Sequence, residues 1–131
     1  MQFVVWRECP ETERNYAICR SGEHVGNLYL RDIDRQHRRA ELHIFIGDVG
    51  NRARGIGTEA MRLALEEAFG ALGLQEIFLH VLATNQAAIR LCQCCGFTFD
   101  GKRTTPADKR GAPVDVLRMK LRKDQRPEGE R

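Results

Sequence analysis

The sequence predicts a single α/β domain built on a mixed, mostly antiparallel sheet with flanking helices. Three observations support this fold class. Short apolar segments separated by turns fill the first third of the chain, as in an antiparallel meander. The apolar spacing then changes from two residues to the helical period, and a strand, a helix and a strand follow in the order of a parallel crossover. At 131 residues, with 42% hydrophobic side chains, the chain fits one compact domain.

The apolar pattern places each element in order. Strands are predicted at residues 2–7, 16–20, 24–31, 40–46, 76–82, 97–99 and 114–121, and helices at residues 57–72 and 87–95. The strand at 76–82 is apolar enough to be buried on both faces, and Gly73 is placed to end the first helix in a left-handed conformation. Residues 123–131 lack apolar side chains and are predicted to be a disordered tail, so the domain covers residues 1–122.

Composition and charge exclude several classes of function. No apolar run approaches the roughly 18 residues of a membrane helix. The net charge of +3 comes from basic residues scattered among acidic ones, not from a basic block. We therefore expect a cytoplasmic protein with neither a membrane nor a nucleic-acid partner. The five cysteines match no disulfide framework and no common zinc spacing, so we expect reduced thiols and no metal.

A glycine-rich turn before the first helix carries the strongest functional signal. It runs Arg52-Ala53-Arg54-Gly55-Ile56-Gly57-Thr58. Glycines let a ligand approach the main chain, the helix start presents free N–H groups, and arginines add positive charge, so the turn suits a phosphate. A plain surface turn is the bland alternative. The dinucleotide-binding pattern G-x-G-x-x-A also fits at Gly55, but no acidic residue follows the strand ending at Leu82 to hold a ribose.

Two segments resemble one known family. Residues 52–60, RARGIGTEA, resemble the acetyl-CoA signature R/Q-x-x-G-x-G/A of the GNAT N-acetyltransferase superfamily. The continuation G-I-G-T-E-A is similar to its RimJ/RimL-like and spermidine acetyltransferase-like branches. Residues 85–97 resemble the family segment N-x-x-A-I-x-L-Y-x-x-x-G-F, in the expected order and at the expected distance. The resemblance extends from about Tyr16 to Leu121.

The resemblance implies a fold, a cofactor and a reaction. The fourth and fifth strands would splay apart at a bulge, and the pantetheine arm of acetyl-CoA would lie between them against Ile44, Phe45 and Ile46. Main-chain groups of residues 52–58 would hold the pyrophosphate. Asn85 would reach the pantetheine or phosphate arm, although capping the second helix explains an asparagine there equally well. The implied reaction is acetyl transfer by direct attack of a primary amine, from a small molecule or a protein N-terminus.

Three residues are candidates for the chemistry. Glu41 and His43 share the face of the fourth strand that also carries Phe45, so either could accept the amine proton directly or through water. A sheet-surface glutamate and a satisfied histidine are the alternatives. Cys92 stands where the family commonly has a tyrosine acid, and it either donates a proton to the thiolate or fills core space. His80 is predicted to be structural.

The amino-terminal region departs from the family pattern. The family places two helices between its first and second strands, whereas only residues 8–15 are available here. The acceptor site is then open, or is completed by a second subunit, for which exposed sheet edges make a homodimer plausible. A non-catalytic acyl-CoA-binding module or regulatory subunit is the alternative function. A nucleotide-dependent oxidoreductase is a third.

Overall fold

The computed structural model of the chain describes residues 2–7, 12–47, 56–105 and 113–126. Across these residues the strands are β1 (Gln2–Arg7), β2 (Arg14–Arg20), β3 (Glu23–Asp34), β4 (Arg39–Ile46), β5 (Glu76–Leu82), β6 (Thr98–Thr105) and β7 (Val114–Arg122), and the helices are α1 (Ile56–Glu66) and α2 (Gln86–Cys94). The strands form one sheet in the order β1-β2-β3-β4-β5-β7-β6. Among the described strands, only the β4–β5 pair is parallel. The predicted mixed, mostly antiparallel α/β fold is confirmed.

The first three strands form the predicted meander, and β4 extends it as a further antiparallel strand. Their registers align Tyr16 with Leu28 and Leu28 with Ile44, which keeps one apolar face continuous across β2, β3 and β4. β3 runs three residues beyond its predicted end because Ile33 is buried and its N–H donates to the carbonyl of Thr12 at 3.0 Å. Residues 8–13 join β1 to its antiparallel neighbour β2, which leaves no room for two helices between them.

The first helix is shorter than its apolar period predicts. α1 ends at Glu66, and Glu67–Ala71 continue as a single π-helical turn in which the Leu72 N–H donates to the carbonyl of Glu67 at 3.1 Å. Phe69, in this wider turn, is buried in the core, and the chain reverses direction just after the turn. Gly73 then adopts a φ of +64°, as predicted, since a left-handed residue at this point favours glycine.

The prediction that β5 is buried on both faces is wrong. Ile77 and Leu79 are buried, whereas the alternate residues Phe78 and His80 remain partly accessible. The reason is that residues of α1 and of α2 belong to one hydrophobic cluster with Ile77 and Leu79, so both helices cover the same face of the sheet. We call this the covered face and the opposite one the open face.

The core lies between the covered face and the two helices. From the sheet it takes Ile18, Leu28, Leu30, Leu42, Ile77, Met119 and Leu121, and from the helices and the segments that follow them Ala64, Leu65, Phe69, Cys92, Cys95 and Phe97. Neither helix in the described part of the chain has the length and apolar character needed to cross a membrane.

The carboxyl-terminal strands form the predicted hairpin, with β7 inserted between β5 and β6. Lys123–Gln125, which composition assigns to the disordered tail, form a short 3-10 turn after β7. Arg126 is buried, with its guanidinium carbon 5.8 Å from the centre of the Phe69 ring. Residues 127–131 lie outside the described part, so a tail there stays a prediction.

Ile77 should be a major contributor to stability because it is 0% exposed at the centre of the covered face. We expect Ile77→Ala to lower the free energy of unfolding by about 2–5 kcal/mol, through lost apolar contacts and a residual cavity. Leu82→Ala is the matched control on the same strand: its side chain is 48% exposed, and we expect a loss below about 1 kcal/mol. Urea unfolding followed by circular dichroism measures both, and equal losses would contradict this packing.

Candidate active site

The two parallel strands separate after a short stretch of pairing. β4 and β5 are paired at three positions, from Arg39 and Glu76 to Glu41 and Phe78. Beyond that point β4 remains paired only with β3, and β5 only with β7. The main-chain groups of β4 and β5 that face each other across the gap therefore have no partner among the strands that the structure describes, and an extended ligand could hydrogen-bond to them.

The separation does not need the bulge that the resemblance implies. The β3–β4 register is regular from Glu41 to Ile46, and its irregularity lies earlier, between Arg31 and Asp34. The predicted cofactor-lining residues lie along this regular stretch: Ile44 faces the core, and Phe45 is 57% exposed on the open face. Nothing is described of the Ile46 side chain. Their contact with a cofactor stays a prediction.

The starts of both helices lie at the end of the sheet where β4 and β5 separate, because each helix follows the carboxyl end of one of these strands. Gly57, in the first turn of α1, faces α2: a Cβ atom built on it would lie 3.4 Å from Leu91 Cδ2. The positive ends of both helix dipoles therefore lie at the end of the sheet where the gap opens. Arg52, Ala53, Arg54 and Gly55 lie outside the described residues, so their predicted phosphate contacts are untested, as are those of Ile56, Gly57 and Thr58 in α1.

Asn85 caps α2. Its side-chain oxygen accepts a hydrogen bond from the Ala88 N–H at 3.1 Å, which satisfies one of the free donors of the helix start. The sequence left capping and ligand contact as equal alternatives, and the capping role is now confirmed. The amide nitrogen of Asn85 takes no part in the cap, so its predicted contact with the pantetheine or phosphate arm remains a prediction.

Glu41 is at the centre of a carboxylate and imidazole cluster on the open face. Its Oε1 lies 2.6 Å from His43 Nε2, and its Oε2 lies 2.7 Å from His80 Nδ1. The side chains of Glu41, His43 and His80 are 16%, 38% and 28% exposed. Glu41 is the last residue of β4 that pairs with β5, so the cluster lies where the two strands begin to separate.

His80 is the member that sequence reasoning missed. The apolar residues of β5 predict a strand buried on both faces and therefore a structural histidine, whereas His80 contacts Glu41 on the open face. The observation that could have identified it is the parity of β5: Phe78 lies opposite Glu41, and His80, two residues further along, points to the same face. The alternation of β5 side chains places His80 near Glu41 only when the register between β4 and β5 is known.

Aromatic side chains and cations surround the cluster on the open face. Tyr29 and Phe45 pack edge to face with ring centres 5.9 Å apart. The guanidinium carbons of Arg31 and Arg118 lie 4.7 Å and 4.2 Å from the ring centres of Tyr29 and Phe78 respectively. This surface places the Glu41 carboxylate beside flat apolar groups, so it could contact both the charged and the methylene parts of an amine ligand.

Cys92 faces away from this cluster, into the core. Its side chain belongs to the buried cluster on the covered face, and the residue is 2% exposed. Burial, together with the nearby Cys95 thiol, raises the pKa of Cys92 to about 12. The thiol is therefore neutral and a weak acid at physiological pH, which favours the packing interpretation over proton donation.

A family comparison agrees with this architecture. The family model described as an acetyltransferase (GNAT) domain matches residues 1–98. The chain belongs to the GNAT acetyltransferase family. The separation of its two parallel strands is a feature that the resemblance in residues 52–60 and 85–97 implies.

Spermidine acetyltransferases are among the relatives of this GNAT chain. The spermidine N(1)-acetyltransferase of Escherichia coli strain K12 is 33% identical over 92 residues, which are 70% of this chain and 49% of that enzyme. The Vibrio cholerae enzyme is 33% identical over 95 residues, 72% of this chain and 54% of its own. The chain thus spans about half the length of the curated relatives it matches.

A solved structure extends the similarity to three dimensions. The crystal structure of spermidine N-acetyltransferase from Vibrio cholerae in complex with CoA and spermine matches with a TM-score of 0.81 and 28% identity, covering 88% of this chain and 68% of that one. An F149A mutant of the same enzyme matches with a TM-score of 0.79 and 30% identity, covering 86% of this chain and 67% of the mutant.

The environment of Cys92 predicts its reactivity. Because its thiol is buried and its pKa is raised to about 12, it should not react with a thiol reagent at pH 8 in the folded protein, whereas the exposed Cys94 should. Cys94→Ala should lower the number of rapidly reacting thiols by one, and Cys92→Ala should leave it unchanged. A stopped-flow titration with a disulfide reagent tests this. Rapid loss of one thiol in Cys92→Ala would contradict the buried placement.

Proposed function

We propose that this chain binds acetyl-CoA and catalyses transfer of the acetyl group to a primary amine. The observation that carries the proposal is the gap between β4 and β5, with both helix starts beside it, in a chain of the GNAT family. An extended pantetheine arm would hydrogen-bond to the main chain of β4 like an added strand, against Ile44, Phe45 and Ile46. The structurally similar Vibrio cholerae enzyme was solved with CoA and spermine bound.

The pyrophosphate of the cofactor would lie at the start of α1. Main-chain N–H groups of residues 52–58 would donate to it, Arg52 and Arg54 would add charge, and the helix dipole would favour the anion. The amide nitrogen of Asn85 would donate to the same arm from the start of α2, while its oxygen keeps the helix capped. This division of roles reconciles capping with ligand contact.

The chemistry would proceed by direct attack in a ternary complex. The amine must lose a proton to expose its lone pair, and the Glu41 and His43 pair on the open face is suited to accept it. The amine nitrogen forms a bond to the thioester carbon, the carbon–sulfur bond breaks, and the thiolate takes a proton from water. We assign Cys92 to packing, since a buried thiol with a pKa of about 12 is a poor proton donor.

The acceptor would be a polyamine. This follows from the similarity to spermidine acetyltransferases and from the open face, where a carboxylate lies among aromatic rings suited to methylene segments. A protein N-terminal amine remains the other acceptor class. A cytoplasmic location and a homodimer remain predictions from composition and from the sheet edges.

An assay for product formation distinguishes an acetyltransferase from a non-catalytic CoA-binding module. With acetyl-CoA and spermidine, mass spectrometry should detect monoacetylated spermidine, and a thiol reagent should detect an equal amount of free CoA. Glu41→Gln should lower kcat by about 100-fold or more, because it removes the carboxylate of the Glu41 and His43 pair that takes the amine proton, while CoA affinity by calorimetry is retained. CoA binding by the unmodified chain without product from spermidine or from a panel of other amines would favour the binding module. Preference for NAD over CoA would favour the oxidoreductase.

Substitution of Gly57 tests whether the cofactor's pyrophosphate binds at the start of α1. A valine there should weaken CoA binding about tenfold or more, because its side chain would enter the space of the phosphate at the helix start. Since a Cβ at this position also contacts Leu91, the double variant Gly57→Val, Leu91→Ala relieves the contact between helices without clearing the phosphate space.

We expect the double variant to bind CoA as weakly as the single one in calorimetry. Gly70→Ala, at a position with open space around the added Cβ, is the control and should bind normally. Recovery of affinity in the double variant would mean that Gly57 serves helix packing and not the cofactor.

A further inference from the structure

His80 reaches Glu41 from the other side of the strand separation. Glu41 is the last β4 residue in the parallel pairing, and His80 lies two residues beyond its β5 partner Phe78. The 2.7 Å contact between His80 Nδ1 and Glu41 Oε2 therefore links β4 to β5 where main-chain hydrogen bonds no longer do so. His43 occupies the remaining carboxylate oxygen from within β4 itself.

The contacts define which imidazole nitrogens carry hydrogen. An ionised carboxylate only accepts hydrogen bonds, so each ring nitrogen that touches Glu41 must be a donor. In the neutral rings, His43 then carries its hydrogen on Nε2 and His80 on Nδ1. Consequently His43 Nδ1 bears a lone pair, and no described residue forms a hydrogen bond to it. His43 is also the most exposed side chain of the three.

We propose that His80 is a positioning residue, which holds the Glu41 carboxylate so that its other oxygen fixes the tautomer of His43. His43 Nδ1 is then the atom that accepts the proton of the acceptor amine. This inference rests on the proposed acetyl transfer and deepens it, because it assigns Glu41 to orienting the base instead of taking the proton itself. A carboxylate that fixes the tautomer of a catalytic imidazole is a recurrent arrangement in acyl transfer.

Every proton in the proposed reaction is accounted for by the amine, His43, the CoA thiolate and water. The amine gives its proton to His43 Nδ1, its nitrogen bonds to the acetyl carbon, and the carbon–sulfur bond breaks. Water returns a proton to the CoA thiolate, and the imidazolium releases its proton to water. No metal is needed, and the described residues include no group of His, Cys, Asp or Glu side chains arranged to hold one.

Two arginines next to this cluster have partners other than Glu41. Arg31 of β3 lies opposite Glu41 in register, but its guanidinium bonds to Glu13 and Asn15. Arg118 of β7 lies opposite His80, and its Nε is 3.1 Å from an Asp100 oxygen. Both cations are therefore directed to other partners, and the carboxylate of Glu41 is left to the two imidazoles.

Two substitutions of His80 separate positioning from simple packing. His80→Ala removes the donor to Glu41, whereas His80→Asn places an amide N–H about where Nδ1 donates. We expect His80→Ala to lower kcat about 10- to 100-fold with an unchanged KM for acetyl-CoA, and His80→Asn to recover to within about threefold of the unmodified protein. His37→Ala, whose exposed ring contacts Asp34 near the β3–β4 turn, is the matched control and should leave kcat unchanged.

Nitrogen-15 chemical shifts of the histidine rings give a readout that does not need turnover. His43 should be the Nε2–H tautomer in the unmodified chain and in His80→Asn, and a mixture of tautomers in His80→Ala. An unchanged His43 tautomer in His80→Ala, or a His80→Asn variant as slow as His80→Ala, would overturn the inference while the proposed function stands. An unmodified chain that makes no acetylated amine overturns the proposed function, and with it any catalytic role of His80.

Discussion

The arrangement of this molecule depends on how early the parallel pairing of β4 and β5 ends. In the described part of the chain three residue pairs join the two strands, and beyond Glu41 and Phe78 each strand pairs there with its antiparallel neighbour alone. Peptide groups inside a protein need partners, so a sheet that opens at its centre is suited to an extended ligand with amide groups of its own. The helices that follow the two strands place their positive ends beside the same opening.

The sheet divides the work between its faces. The covered face supplies the core, including Cys92, whose raised pKa follows from its burial there. The open face carries Glu41 with its two imidazoles and a set of aromatic rings. A cofactor between the strands would contact residues of both the covered face and the open face. An amine approaching from the open face would meet the carboxylate cluster first.

Local patterns predicted most of the fold. Alternation in β4 separated Leu42 from Glu41 and His43, and Gly73 was correctly placed as the left-handed end of the first helical segment. The π-helical turn was not predictable, because the apolar period does not show where the hydrogen bonding of the helix widens. His80 was missed for a similar reason: it approaches Glu41 across 39 positions of sequence, and only the β4–β5 register brings them together. Short-range periodicity contains no information about such a register.

The most direct measurement is a crystal structure of the full chain with acetyl-CoA. The account predicts the pantetheine arm between β4 and β5, with its amides hydrogen-bonded to main-chain groups of residues 42–46, and the acetyl carbon on the side of His43. Closure of the gap by direct pairing between residues 42–46 and 79–82, or a cofactor bound away from it, would contradict the account.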